Sequence, residues 1–122
     1  MRVEIQGDFN LRKIVESGQC FRASLIDDDI YRFVTGNNVV YMKETEKGIF
    51  SVSCGFNEWQ NTWVKYFDLN RNYRNIFEKE YGKHPFVDKA MNAGRGLRIL
   101  WQDPWEILVS TIISQRKSIP AI

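Results

Sequence analysis

The chain of 122 residues has only two cysteines, one histidine and three prolines. Cys20 and Cys54 lie without metal-ligand spacing around them, which leaves no zinc motif to propose. Reduced thiols in a cytosolic protein are the simplest reading of so few cysteines. The lone histidine, His84, precedes Pro85 at the start of a helix, with no Asp, Ser or Cys at a suggestive spacing. It reads as a surface residue, not as a base or a ligand. A phosphate-binding loop, a Ser/His/Asp set and a carboxylate pair flanked by apolar residues are also missing. No apolar run approaches the ~20 residues of a membrane span, and no signal peptide is visible. Repeats and low-complexity tracts are absent. These absences leave no conventional active site, no metal and no cofactor to propose, and they point to a cytoplasmic protein.

What is present argues for a packed core. Hydrophobic residues make up 43% of the chain and aromatic residues 14%, too much apolar material for disorder. The net charge is only +2, but it is unevenly spread. Residues 1–70 carry 8 Lys/Arg against 10 Asp/Glu, and residues 71–122 carry 9 against 5. The second half is therefore basic. A solvated surface is the bland account of that excess, and a face toward a polyanion is the functional one.

The pattern along the chain predicts an α+β domain, a sheet followed by helices. Met1 to Ile5 fits a short edge strand, and a short helix through Leu11, Ile14 and Val15 stops at Ser17-Gly18. Four β-rich runs follow, at 19–25, 30–35, 39–44 and 49–54. The clusters between them, Asp27-Asp28-Asp29, Gly36-Asn37-Asn38 and Glu46-Lys47-Gly48, are short turn formers, read as ordinary loop tips. Short connections make antiparallel neighbours, so the runs predict an up-and-down antiparallel β-sheet. Helical periodicity starts at Asn57, which with Gln60 fits a capping box. Trp59, Trp63, Val64 and Phe67 recur at helical spacing and read as core under the sheet, in preference to a base-stacking platform. A second helix from Arg71 puts Tyr73, Ile76, Phe77 and Tyr81 on one face before Gly82. A third, from Pro85, holds Phe86, Ala90 and Met91. A boundary is expected at Gly94-Arg95-Gly96, dividing the chain into residues 1–94 and 95–122.

The second unit begins with a well-marked helix. Asp103 suits its cap, Pro104 its first position, and Glu106 can close a capping box. Ile107 to Ile113 is apolar nearly all round, so it needs burial on every side. The helix ends in the polar, basic cluster Ser114-Gln115-Arg116-Lys117-Ser118, and Ser118 and Pro120 fit the start of another. Such a core helix without cover suggests part of something longer. Ile107, Leu108, Ile112 and Ile119 are expected to be partly uncovered, and the chain is expected to self-associate through them or to displace its last helix.

Two stretches suit recognition. In Ser17-Gly18-Gln19-Cys20-Phe21-Arg22, glycine permits positive φ and close approach of a ligand to the backbone; a plain helix stop is the alternative. In Ser114 to Ser118, a buried helix delivers two cations and a long polar side chain, able to hold phosphates and enter a DNA stack; a solvated turn is the alternative.

These stretches carry a family resemblance. Ser17 to Arg22 resembles the Ser-Gly-Gln-x-Phe-Arg motif of the 8-oxoguanine DNA glycosylases, of the helix-hairpin-helix glycosylase superfamily. Leu97 to Glu106 resembles their Leu-Arg-x-x-x-Gln-Asp-Pro-Trp/Phe-Glu, and Ser114 to Ile119 lies where they have an asparagine tract. The resemblance spans essentially the whole chain. It implies a TATA-binding-protein-like N-terminal sheet domain in residues 1–94 and the first helices of a truncated all-α helix-hairpin-helix domain in residues 95–122. It further implies damaged double-stranded DNA as partner, flipping of 8-oxoguanine into a pocket, and a lysine Schiff base formed beyond this chain, which itself carries no catalytic residue. Gly18 matches the glycine whose carbonyl accepts from the lesion N7–H. Gln115, Arg116 and Lys117 match the DNA-facing segment, with Arg116 at the wedge position. Ala121 replaces an arginine that eukaryotic members place on the opposite cytosine. The resemblance is therefore to bacterial or archaeal members, with weaker discrimination of the opposite base. Cys20 stands where many members have serine and receives no nucleophilic role. A non-catalytic binding module and an alkylpurine glycosylase remain the alternatives.

Overall fold

The computed structural model describes residues 1–20 and 22–115. Five strands form one antiparallel sheet: β1 (Arg2–Glu4), β2 (Ala23–Asp27), β3 (Ile30–Thr35), β4 (Asn38–Glu46) and β5 (Ile49–Val52), in the order β1-β5-β4-β3-β2. β2 to β5 run up and down, as the turn clusters predict. Each hairpin closes on a two-residue turn, seen in the pairs Asp27↔Ile30, Thr35↔Asn38 and Glu46↔Ile49. Such turns match the twist of the strands when a residue can take positive φ, and Gly36 (φ +55°) and Gly48 (φ +80°) supply it in two of them. β1 is the expected edge strand, laid beside β5 with Val3 opposite Phe50.

Alternation along the strands puts Phe33, Val40, Met42, Phe50 and Val52 on one face, all buried. Helix α1 (Leu11–Glu16) and the helical segment 56–66 cover that face. The segment consists of α2 (Phe56–Glu58), a π-helical turn (Trp59–Trp63) and α3 (Val64–Tyr66). It starts one residue earlier than periodicity suggests, and Gly55, not Asn57, is its cap. Trp59, Trp63 and Phe67 lie in the core as expected. Phe67 is the hub of the aromatic packing, with ring centroids 4.9 Å from Phe33, 5.0 Å from Tyr66 and 5.4 Å from Phe9, all edge-to-face. That arrangement sets ring edges against ring faces, the favourable quadrupole geometry.

Helices α4 (Tyr73–Glu80) and α5 (Pro85–Gly94) lie at the periphery. Asn72 caps α4 through Asn75 N–H, and His84 caps α5 through Phe86 N–H. The face that carries Tyr73, Ile76, Phe77 and Tyr81 is covered unevenly: Tyr73 is buried and Phe77 half-buried, while Ile76 and Tyr81 are exposed. Phe86 is exposed as well, and α5 buries no residue. Periodicity reports which residues share a face; it does not supply a partner for that face.

Residues 95–103 form an irregular connection to α6 (Pro104–Ser114). The turn at Gly94-Arg95-Gly96 is present, but the run after it packs onto the sheet unit. Arg98 and Leu100 are both buried, and Leu100 joins the same core as the sheet. No described helix is long and apolar enough to cross a membrane.

Candidate functional site

The loop after α1 is shaped by its own residues first. Ser17 ends the helix, and its Oγ donates to the Ile14 carbonyl at 2.7 Å. Gly18 then takes φ +78°, the left-handed region that costs glycine no steric penalty. Gln19 does not enter the sheet, although the 19–25 run suggests a strand from there. Strand β2 begins at Ala23, and Gln19 is bonded elsewhere.

Its partners lie in residues 98–102. The Gln19 side-chain amide donates to the Arg98 carbonyl at 2.7 Å, and its side-chain oxygen accepts from Leu100 N–H at 3.0 Å. The Gln19 main-chain carbonyl accepts from the Gln102 side chain. Three residues on, Arg22 forms an ion pair with Glu106, which also accepts from Gly36 N–H at 2.8 Å. Arg22 in turn donates to the Gly36 carbonyl at 3.2 Å. The two motifs that stand far apart in sequence are thus the two sides of one seam. Gly36-Asn37 is also more than a loop tip, since its glycine fastens the first turn of α6.

This corrects the capping-box reading of Glu106. Asp103 does cap α6, accepting from Trp105 N–H at 2.8 Å and Glu106 N–H at 3.3 Å. The Glu106 carboxylate, however, turns to Arg22 and Gly36, where a charged partner and a free N–H give it more than the helix cap offers.

The 95–101 run is held from below. Gly96 (φ +91°) accepts from Asn10 N–H through its carbonyl at 2.8 Å. Arg98 is 2% exposed and donates to the carbonyls of Asp8, Asp68 and Arg71, with its guanidinium 4.3 Å from the Tyr73 ring centroid. Burial lowers its pKa, and Tyr73, Asp68 and Asp8 oppose that; a guanidinium nevertheless keeps its proton at neutral pH. Trp101 N–H donates to the Tyr66 carbonyl at 2.9 Å. Tyr66 sits beneath the seam with its hydroxyl 3.4 Å from Cys20 Sγ. Burial pushes its phenol far above the usual range, and the contact with Cys20 and the nearby Glu106 carboxylate add to that. It is a neutral, structural hydroxyl, not an acid or base at neutral pH.

Of the residues expected to recognise DNA, the structure places Gly18 in the loop held by the seam. Gln115 is at the other end of α6, exposed, with its N–H on the Ile112 carbonyl. Arg116 and Lys117 lie outside the described residues. Gln19, Arg22 and Gln102 receive no individual role from sequence, and Glu106 only that of a cap; the signal available was their presence in the two motifs, with Arg22 and Glu106 of opposite charge. Cys20 and Cys54 are free thiols, and burial raises the pKa of Cys54. Among the described residues no group of His, Cys, Asp and Glu is arranged to hold a metal ion.

Solved structures share this fold. MBOgg1, solved in complex with a low-affinity DNA ligand, is 40% identical with a TM-score of 0.89 over 98% of this chain. The Clostridium acetobutylicum 8-oxoguanine glycosylase/lyase is 36% identical with a TM-score of 0.88 in its apo form. The same enzyme with double-stranded DNA containing cytosine opposite 8-oxoguanine superposes with a TM-score of 0.83. The chain belongs to the 8-oxoguanine DNA glycosylase family, whose N-terminal domain matches residues 2–108. It spans 41% of the length of the first two of those structures and 44% of the third. No curated protein matches the chain.

Proposed function

We propose that this chain is the damage-recognition part of a base-excision glycosylase with lyase activity that acts on 8-oxoguanine in DNA. The observation that carries the reading is the Gly18 loop, left-handed and bonded through Gln19 to the second family motif. The Gly18 carbonyl is the group assigned to the lesion. Guanine presents an acceptor at N7, whereas 8-oxoguanine presents a donor there. A fixed carbonyl therefore bonds the lesion and opposes guanine. An opposed buried acceptor costs roughly 1–3 kcal/mol, about ten- to a hundredfold in affinity. The flipped base approaches the backbone at Gly18, where a side chain would obstruct it.

Gln115, Arg116 and Lys117, at the far end of α6, are assigned to the DNA strand, the two cations to phosphates and Arg116 to the space left by the flipped base. The nucleophilic lysine and the assisting aspartate of the family match no position in this chain, and none of its lysines is assigned that role. Residues 1–122 alone are expected to be inactive. Trp105, Leu108, Ile112 and Ile113 are exposed on α6; a helical domain that follows in the full-length protein would cover them, and the isolated chain is expected to self-associate through them.

The test is release of free 8-oxoguanine from a duplex by the full-length protein, with each of the four bases opposite the lesion. Release with all four, and a covalent adduct trapped by borohydride, is expected. A strict requirement for cytosine would contradict the weak opposite-base discrimination. Release of 3-methyladenine but not of 8-oxoguanine would overturn the substrate.

A further inference from the structure

We infer that Gln102 and Gln19 are positioning residues for lesion recognition, setting the direction of the Gly18 carbonyl from the second motif. The inference rests on the function proposed above and adds to it the residues that aim the recognising group. The glycine that permits close approach of a base is also the residue least able to hold its own conformation. Its carbonyl belongs to the Gly18–Gln19 peptide plane, and a trans peptide points its N–H and its C=O in opposite directions. Whatever holds Gln19 therefore aims the Gly18 oxygen.

Gln19 is held at four of its atoms. Its N–H reaches Ser17 Oγ at 3.5 Å, a weak contact. Its side-chain amide donates to the Arg98 carbonyl at 2.7 Å and to Ser17 Oγ at 3.1 Å. Its side-chain oxygen accepts from Leu100 N–H at 3.0 Å. Its own carbonyl accepts from the Gln102 side chain, 83 residues further along the chain. Residues 98–102 are in turn rigidly seated, through buried Arg98, buried Leu100 and the bond from Trp101 to Tyr66. The direction of the carbonyl is thus referred to the core and not to a free loop. Both side chains are neutral amides, half-buried, so the seam carries no charge penalty of its own.

The experiment uses the full-length protein and three duplexes differing at one position: 8-oxoguanine, guanine, or a tetrahydrofuran abasic analogue, each opposite cytosine. Gln102→Glu sets an acceptor against the Gln19 carbonyl. We expect its preference for 8-oxoguanine over guanine to fall about tenfold, with affinity for the abasic duplex, which offers no base to the carbonyl, kept within about twofold. Gln102→Lys retains a donor at that reach and is expected to keep the wild-type preference. If circular dichroism shows Gln102→Glu unfolded, Gln102→Ala is measured in its place with the same expectation. An unchanged preference in the Glu or Ala variant overturns the inference. So does an equal loss on all three duplexes, which would mark a merely structural residue, or a loss in Gln102→Lys as large as in Gln102→Glu. Absence of any preference in the wild-type protein would instead overturn the functional reading itself.

Discussion

Gly96 and Arg98 show how single residues hold the second motif in place. At φ +91° Gly96 lies where a Cβ is disfavoured, and a Cβ built there meets Asn10 Cβ at 2.5 Å and Asn10 N at 3.1 Å. Asn10 caps α1 through Lys13 N–H, so the clash reaches the helix that precedes the Gly18 loop. Gly96→Ala is expected to destabilise the protein by roughly 2–4 kcal/mol, from left-handed strain of about 1–2 kcal/mol plus the displaced cap. Equilibrium urea unfolding reads this, and a variant within about 0.5 kcal/mol of wild type would contradict it. Arg98→Lys keeps the charge but loses the planar fork that serves three carbonyls. A loss of roughly 3 kcal/mol is expected in the same measurement, because a buried ammonium and unmet carbonyls remain; stability equal to wild type would show that charge alone suffices.

At the scale of elements, the seam between residues 17–22 and 98–106 governs where α6 lies. The Arg22–Glu106 pair is its charged end, with the Arg22 side chain 43% exposed and that of Glu106 19% exposed. Solvent screening limits its worth, so Glu106→Gln is expected to cost about 1 kcal/mol or less. The difference between variant and wild type should shrink in 1 M salt, where the Debye length is about 3 Å; a difference indifferent to salt would show that Glu106 acts through its bond from Gly36 N–H and not through charge. The same element shows what sequence conveys and what it does not. Turn clusters marked the three hairpins, because Gly36 and Gly48 must meet local backbone demands. Asp103 and Pro104 marked the start of α6 for the same reason. Glu106 was legible as a cap residue but not as a clamp, because the choice between closing its own helix and reaching Arg22 depends on tertiary neighbours. Gln19 and Gln102 were less legible still: neutral amides 83 residues apart leave no periodicity and no charge pattern. Amphipathic spacing grouped the apolar residues of α4 on one face but is indifferent to whether a partner is present, and Ile76 and Tyr81 are exposed.

At the scale of the whole molecule, a sheet covered on one face carries a loop and a helix that the seam joins. The loop offers Gly18, and the helix leads from Glu106 at the seam to Gln115 at its far end. The Gly18 motif and the helix-start motif were legible in sequence because family members share them; their physical connection became visible only in three dimensions. The central claim is that the Gly18 carbonyl distinguishes 8-oxoguanine from guanine. Competition between duplexes containing 8-oxoguanine·cytosine and guanine·cytosine for the full-length protein, and for its Gly18→Ala variant, tests it most directly. The account predicts a wild-type preference of about ten- to a hundredfold for the lesion, sharply reduced in the variant. Equal binding of the two duplexes by the wild-type protein, or a preference untouched by Gly18→Ala, would contradict it.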